Sequence, residues 1–197
     1  MRQSKHITQL QLLQHQVYFK ASDAKALGIP VRMLAHFCQQ GMIERVCRGL
    51  YRGIDADSGL DLGMEDLVLT AASIPNGVVC LSSALYLYEM TDQILREYWI
   101  AVPNADKSPK RPHTRIVRMR NMTLGTTTLQ LGAHTLKIFD RERTVVDAFR
   151  FLSDEIAIKA LQAYLAGHTH KPDLAKLSAY AKTMKVNLSP YLMALTT

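Results

Sequence analysis

Ser22-Asp-Ala24-Lys-Ala-Leu27-Gly28-Ile29-Pro30-Val-Arg32-Met-Leu34-Ala-His36-Phe37-Cys38-Gln39-Gln-Gly41 holds two short helical patterns broken by one glycine. Ser22 is a candidate N-cap for the first helix, and Asp23 is well placed against its dipole. Gly28 can take the left-handed conformation that ends a helix at little steric cost. Pro30 suits the start of the next helix, where a missing N–H costs nothing, and Gly41 ends that helix. Ala24 is small enough for the helices to approach, and Leu27, Ile29, Leu34 and Phe37 supply the apolar contact. This is the spacing of a helix-turn-helix, whose second helix enters the major groove. An αα-hairpin that merely packs would show the same spacing.

Outward from this stretch, Ile7, Leu10, Leu12, Leu13 and Val17 predict a preceding helix to about His15. After it, Met42–Val46 and Leu50–Arg52 predict two strands around a turn at Arg48-Gly49, the expected wing. At 100° per residue, Pro30, Leu34, Phe37, Cys38 and Gly41 share the inner face of the third helix. Arg32, His36 and Gln39 share the outer face, with Ala35 beside them. Arg can read guanine and Gln adenine in the major groove, so these three are the candidate base readers. Lys25, Arg45, Arg48, Tyr51 and Arg52 are the candidate backbone and wing contacts. A solvated helix can also carry Arg, His and Gln, but helix, wing and local charge together favour DNA.

The charge is segmented. Residues 1–53 carry +6, residues 54–105 carry −7, residues 106–143 carry +6 and the remainder +2, within a net charge of +7 over 197 residues. Two basic blocks around an acidic one imply surfaces with different partners, one of them a polyanion. No apolar run reaches the roughly 18 residues of a membrane span, and the N-terminus lacks a signal-peptide core, so a cytoplasmic location is expected. Three cysteines without paired spacing point to small buried thiols rather than a disulfide framework or zinc site.

The sequence divides at a polar stretch from Gly53 to Gly63 into a winged helix-turn-helix at 1–53 and a second domain at 54–197. In the second, helices are expected at Met64–Ser73, at Ser82 or Ser83 to Glu89, and over most of 144–185. Strands are expected at Val78–Leu81, Tyr98–Val102, Thr114–Met119, Thr126–Leu131 and Thr135–Phe139. Mixed order without βαβ alternation makes the fold class α+β. Asp140, Glu142 and Asp147 could mark a metal-dependent nuclease, but Asp140 reads better as a helix cap and Arg143 can neutralise the acids. His168, His170 and Asp173 read as a turn, and Ser82 and Ser83 as caps without a catalytic partner. No Walker loop or dinucleotide fingerprint occurs. The reading is therefore not an enzyme, with no catalytic residue, metal or cofactor. Arg115, Arg118 and Arg120 suit a charge-protected edge strand, a second DNA contact or a dock for an acidic partner. On an extended strand Arg118 and Arg120 point together and Arg115 points away.

Gly41-Met-Ile-Glu-Arg-Val-Cys-Arg-Gly-Leu-Tyr51 resembles the AbiEi-type antitoxin family of transcriptional regulators. Leu81-Ser-Ser-Ala-Leu-Tyr-Leu-Tyr88 resembles that family's Ser-Ala-Leu helix, and Tyr98-Trp-Ile-Ala-Val-Pro103 its following strand. Asp140-Arg-Glu-Arg-Thr-Val-Val-Asp-Ala-Phe149 resembles its Asp-Pro-Glu-Arg-Thr-Leu-Val-Asp signature, with Arg141 in place of the proline. The tail after about residue 168 matches none of these motifs. The resemblance implies a bacterial antitoxin that binds double-stranded operator DNA, represses its own operon and neutralises a nucleotidyltransferase-like toxin. Two alternatives stand beside it. One is a stand-alone regulator whose second domain senses a ligand or dimerises; the other is a nucleic-acid-processing enzyme targeted by its winged helix.

Overall fold

The computed structural model describes residues 2–54, 59–107, 109–167 and 170–196. Its first compact unit comprises Met1–Pro75 together with Gln130–Thr135. The elements run α1 (Arg2–Gln14), β1 (Phe19–Lys20), α2 (Ala21–Ala26), α3 (Val31–Gln39), β2 (Ile43–Cys47), β3 (Leu50–Gly53) and α4 (Leu62–Ser73). The strands form an antiparallel sheet in the order β1-β3-β2. Leu10, Phe19, Ile29, Leu34, Phe37 and Tyr51 are buried in one core. At about 1.5–3 kcal/mol for each large apolar side chain, this cluster is the main stabilising term for so small a unit. Leu12, expected on the buried stripe of α1, is 64% exposed, because it sits roughly 200° around the helix from Leu10.

Local chemistry explains the boundaries. The N-cap of α2 is Lys20, two residues before the expected Ser22. Asp23 accepts the Lys20 backbone N–H at 2.8 Å, the returning half of a capping box, and Ser22 lies inside the first turn. Gly28 follows with φ +80°, and its N–H donates to the Lys25 carbonyl. That left-handed conformation turns the chain into α3, whose N-cap is Pro30. The strand β1 went unseen in the sequence because two residues carry no alternation; its strand character comes from pairing Phe19 with Tyr51.

The second unit holds Asn76–Leu129 and Leu136–Thr197. The compact units thus part after Pro75, whereas the sequence reading divides at 53/54; α4 falls in the first. A five-stranded sheet runs β6-β5-β4-β8-β7, built from β4 (Val78–Val79), β5 (Tyr98–Pro103), β6 (Thr114–Met119), β7 (Thr126–Leu131) and β8 (His134–Phe139). It is mixed: β4 is antiparallel to β5 and parallel to β8, and β5 is parallel to β6. Around it lie α5 (Leu81–Leu87), α6 (Arg141–Phe151), α7 (Asp154–Ala166), α8 (Leu174–Thr183) and α9 (Ser189–Thr196). The fold class is α+β, as expected. The cap of α5 is Cys80, not Ser82 or Ser83; Ser83 is buried, and its Oγ accepts the Trp99 N–H at 2.8 Å. Among the cysteines, Cys80 is buried while Cys38 and Cys47 are half-buried, and all three are free.

Among the described residues, no helix is long and apolar enough to cross a membrane.

Candidate nucleic-acid interface

Helix α3 is strongly two-faced. Leu34 and Phe37 are buried in the core, while Arg32, Ala35, Gln39 and Gln40 are exposed. Residues 32, 35 and 39 are spaced by three and four and form one outward ridge. His36 stands at the shoulder, half-buried, its ring 6.1 Å from that of Phe37. Of the candidate base readers, the structure brings Arg32 and Gln39 onto this ridge with His36 at its edge. Val31 was missed in the sequence: it is apolar, begins α3 and is 53% exposed. The spacing did not reveal it, since at 100° per residue Val31 falls about 20° from Cys38, at the margin of the inner face.

The hairpin β2–β3 carries the remaining cations. Cys47 pairs with Leu50 across the two-residue turn Arg48-Gly49, and the register shifts between Arg45 and Cys47. A regular register would set Arg45 opposite Arg52. The bulge instead sets Arg45 opposite Tyr51 and Glu44 opposite Arg52. The Arg52 Nε then lies 3.0 Å from the Glu44 carboxylate, both side chains exposed. Arg45 donates from Nε to the Cys47 carbonyl at 3.4 Å, and Arg48 is exposed at the hairpin tip. Lys25 is exposed on α2.

Tyr51 corrects the sequence reading. It is 6% exposed and its ring stacks on Phe19 at 5.7 Å. On the central strand, with a neighbour on each side, this aromatic fills the core and is not a surface contact.

The three arginines of the second basic block do not form one patch. The Arg115 guanidinium lies 4.3 Å from the Trp99 ring centroid. Arg118 donates from Nη1 to the carbonyls of Asn104 at 3.0 Å and Asp106 at 2.6 Å, tying down that loop. Arg120 is exposed just beyond β6. The strand β6 lies at an edge of the sheet.

The acids once weighed as a metal site are closed by cations. Asp140 caps α6 by accepting the Arg143 N–H at 2.8 Å. Lys176 reaches from α8 to Asp140 at 3.0 Å and Glu142 at 2.9 Å. Tyr164 donates to Glu142 and Tyr180 to Asp140. Burial opposes ionisation of Glu142, but the hydrogen bonds from Lys176 and Tyr164 prevail and hold its pKa below the ordinary value. Asp147 accepts from Arg143 Nε at 2.6 Å and from Arg150 Nη1 at 2.8 Å. Burial pushes its pKa up against both guanidinium charges, yet two such short contacts are those of a carboxylate. Sequence reasoning saw Arg143 as a local neutraliser. It missed that the side chain is buried and also donates to the Leu124 and Asn121 carbonyls. Asp173 caps α8, and His168 lies outside the described residues.

The glycine turn between α2 and α3, the exposed Arg/Gln ridge and the basic hairpin all lie between Ala21 and Gly53. Residues 8–52 match the family model described as transcriptional regulator, AbiEi antitoxin. The match spans the segment from α1 to β3 and ends at Arg52, so the AbiEi resemblance read from the sequence holds over this region. Residues 53–197 lie outside it. No curated protein matches the chain. Every candidate base-reading and hairpin residue lies within the matched segment.

Proposed function

We propose that the chain is a DNA-binding transcriptional repressor and antitoxin, acting in the cytoplasm through a winged helix-turn-helix. The observation that carries this reading is the outward ridge of α3 within the AbiEi-matched segment. Arg32 can bond guanine bidentately and Gln39 adenine, while Val31 offers a methyl-bearing surface to thymine. Arg45, Arg48 and Lys25 are placed to contact phosphates, and Arg52 joins them once released from Glu44. In this reading the protein represses its own operon and neutralises a nucleotidyltransferase-like toxin, with residues 54–197 serving neutralisation. The acids of the 140–147 motif have structural roles in this reading, each serving a cap or an ion pair.

The test is titration of a duplex from the protein's own promoter region, beside a scrambled duplex, by fluorescence anisotropy. Arg32→Ala and Gln39→Ala should each weaken specific binding by about 1–3 kcal/mol and relax preference at one base pair. If both variants bind the two duplexes as the unaltered protein does, α3 is not the reader. Neutralisation is tested by co-expression with the product of the adjacent gene, where rescue of growth is expected.

A further inference from the structure

Where α6 begins, the second unit holds a cavity of about 300 Å³, at the small end of ligand-sized pockets. Its wall includes Tyr88, Thr127, Thr128, Arg141, Lys171 and Lys176, beside the carboxylates of Asp140 and Glu142. The charges there are unequally committed. Lys176 is held by both carboxylates, at 3.0 and 2.9 Å. The other two carboxylate oxygens accept from the Arg143 N–H and from Tyr164, and Tyr180 shares the Asp140 Oδ2 that Lys176 holds. Two cations are left over. Lys171 is exposed and has no ion pair among the described residues. Arg141 lies with its guanidinium 4.6 Å from the Tyr88 ring centroid, and its Nε is sealed from solvent with no acceptor among the described residues.

A buried N–H of a charged group left without an acceptor is costly, and a guanidinium fork fixed on an aromatic face is preorganised for a planar or tetrahedral oxyanion. Burial holds the Tyr88 phenol in its neutral form, with a pKa of about 12, so it stays a possible donor. Thr127 and Thr128, successive residues of β7, complete the lining. We infer that this cavity binds a small molecule through an oxyanion group, phosphate or carboxylate, seated on Arg141 with Lys171 at the mouth. The inference stands independently of the DNA-binding reading, since none of these residues belongs to the matched segment.

The experiment is NMR titration of the full-length, ¹⁵N-labelled protein at constant ionic strength, with sodium phosphate in one series and sodium acetate in the other. The Arg141 Nε–Hε signal and the Thr127 and Thr128 amides are followed, so that anion binding at basic residues of α3 or the hairpin is read separately. A saturable shift of these signals by phosphate marks a phosphate ligand, and by acetate a carboxylate ligand. Arg141→Gln should weaken the Thr127 and Thr128 response about tenfold or more, and Lys171→Gln should weaken it less. Lys171 is an exposed loop residue, so the second variant decides the matter if the first fails to fold. Neither anion shifting these signals overturns the proposal. So does a response undiminished in Arg141→Gln, or undiminished in Lys171→Gln where the first variant does not fold.

Discussion

Replacing Asp147 with Asn leaves the Arg143 guanidinium in the core without its counter-charge. Both side chains are 1% exposed and their contact is 2.6 Å. The guanidinium also donates to the carbonyls of Leu124 at 2.9 Å and Asn121 at 3.2 Å, and it lies 4.5 Å from the Phe139 ring centroid. Among the described residues the Arg143 guanidinium pairs with no carboxylate but Asp147, and Gly125 packs against its side chain. A Cβ there would meet Arg143 Cβ at 2.7 Å, and the glycine holds φ +69°. Breaking one side of a buried pair costs about 3–5 kcal/mol, a large part of the roughly 5–15 kcal/mol that holds a domain folded. The pair Asp147–Arg150 contributes less, because Arg150 is 37% exposed. Removing both charges, as in Arg143→Met with Asp147→Leu, should be far milder than the sum of the single changes. What remains is two carbonyls, and Asn121 is exposed enough for water to reach. Urea unfolding followed through Trp99, the one tryptophan, measures all three variants. A cost below about 1 kcal/mol for Asp147→Asn, or strict additivity in the double variant, would refute the reasoning.

Arg48→Ala should lower affinity for operator and scrambled DNA alike and reduce the salt slope by about 1; a constant slope in titrations at several salt concentrations removes Arg48 as a phosphate contact. Glu44→Gln should act oppositely, raising affinity for all sequences by a few-fold at low salt, because it releases Arg52 from an exposed pair worth about 1 kcal/mol or less; unchanged binding would show that Arg52 does not meet DNA. Within the first unit, His134 accepts the Val17 N–H through Nε2 at 3.2 Å. Burial lowers its pKa, against the charge of Glu65. Its folded value therefore lies below the unfolded value of about 6.5, so its contribution is full above that pH and is lost as pH falls through the folded value. His134→Gln should flatten the fall in stability that sets in as pH drops below about 6.5, measured by urea unfolding. Fragment 1–75 should bind DNA more tightly than fragment 1–53, since the compact unit continues through α4; equal anisotropy curves would make the polar stretch after Gly53 the working boundary.

What the sequence revealed depended on how far apart the cooperating residues lie. The α2–α3 turn, the buried face of α3 and the hairpin are written in signals a few residues long: Gly28, the Leu34–Phe37 spacing, the Arg48-Gly49 turn. The α6 cap is equally local, since Asp140 binds the N–H three residues on. Tyr51 went wrong because its environment is set by Phe19, on a strand that exists only through pairing. The Glu44–Arg52 pair was hidden by a single bulge, which shifts the register by one residue and exchanges a like-charge pairing for an opposite one. In the second unit, the strand expected at Val78–Leu81 is β4, shortened to Val78–Val79, and its place between β5 and β8 rests on pairing that lies far apart in the sequence.

The same distinction bears on how an acid-rich motif should be interpreted. Asp140, Glu142 and Asp147 within eight residues look available for metal or proton transfer when only their neighbours are visible. Distant partners close them: Lys176 and Tyr180 on α8 and Tyr164 on α7, while Arg143, within the motif, is itself braced by the Leu124 and Asn121 carbonyls. Helix α6 packs against α5, α7 and α8, and its polar side chains link those helices to the loop after β6. The acids are therefore occupied in holding the second unit together. Arg141, whose Nε has no acceptor among the described residues, is the cation of that unit on which the inferred oxyanion site rests.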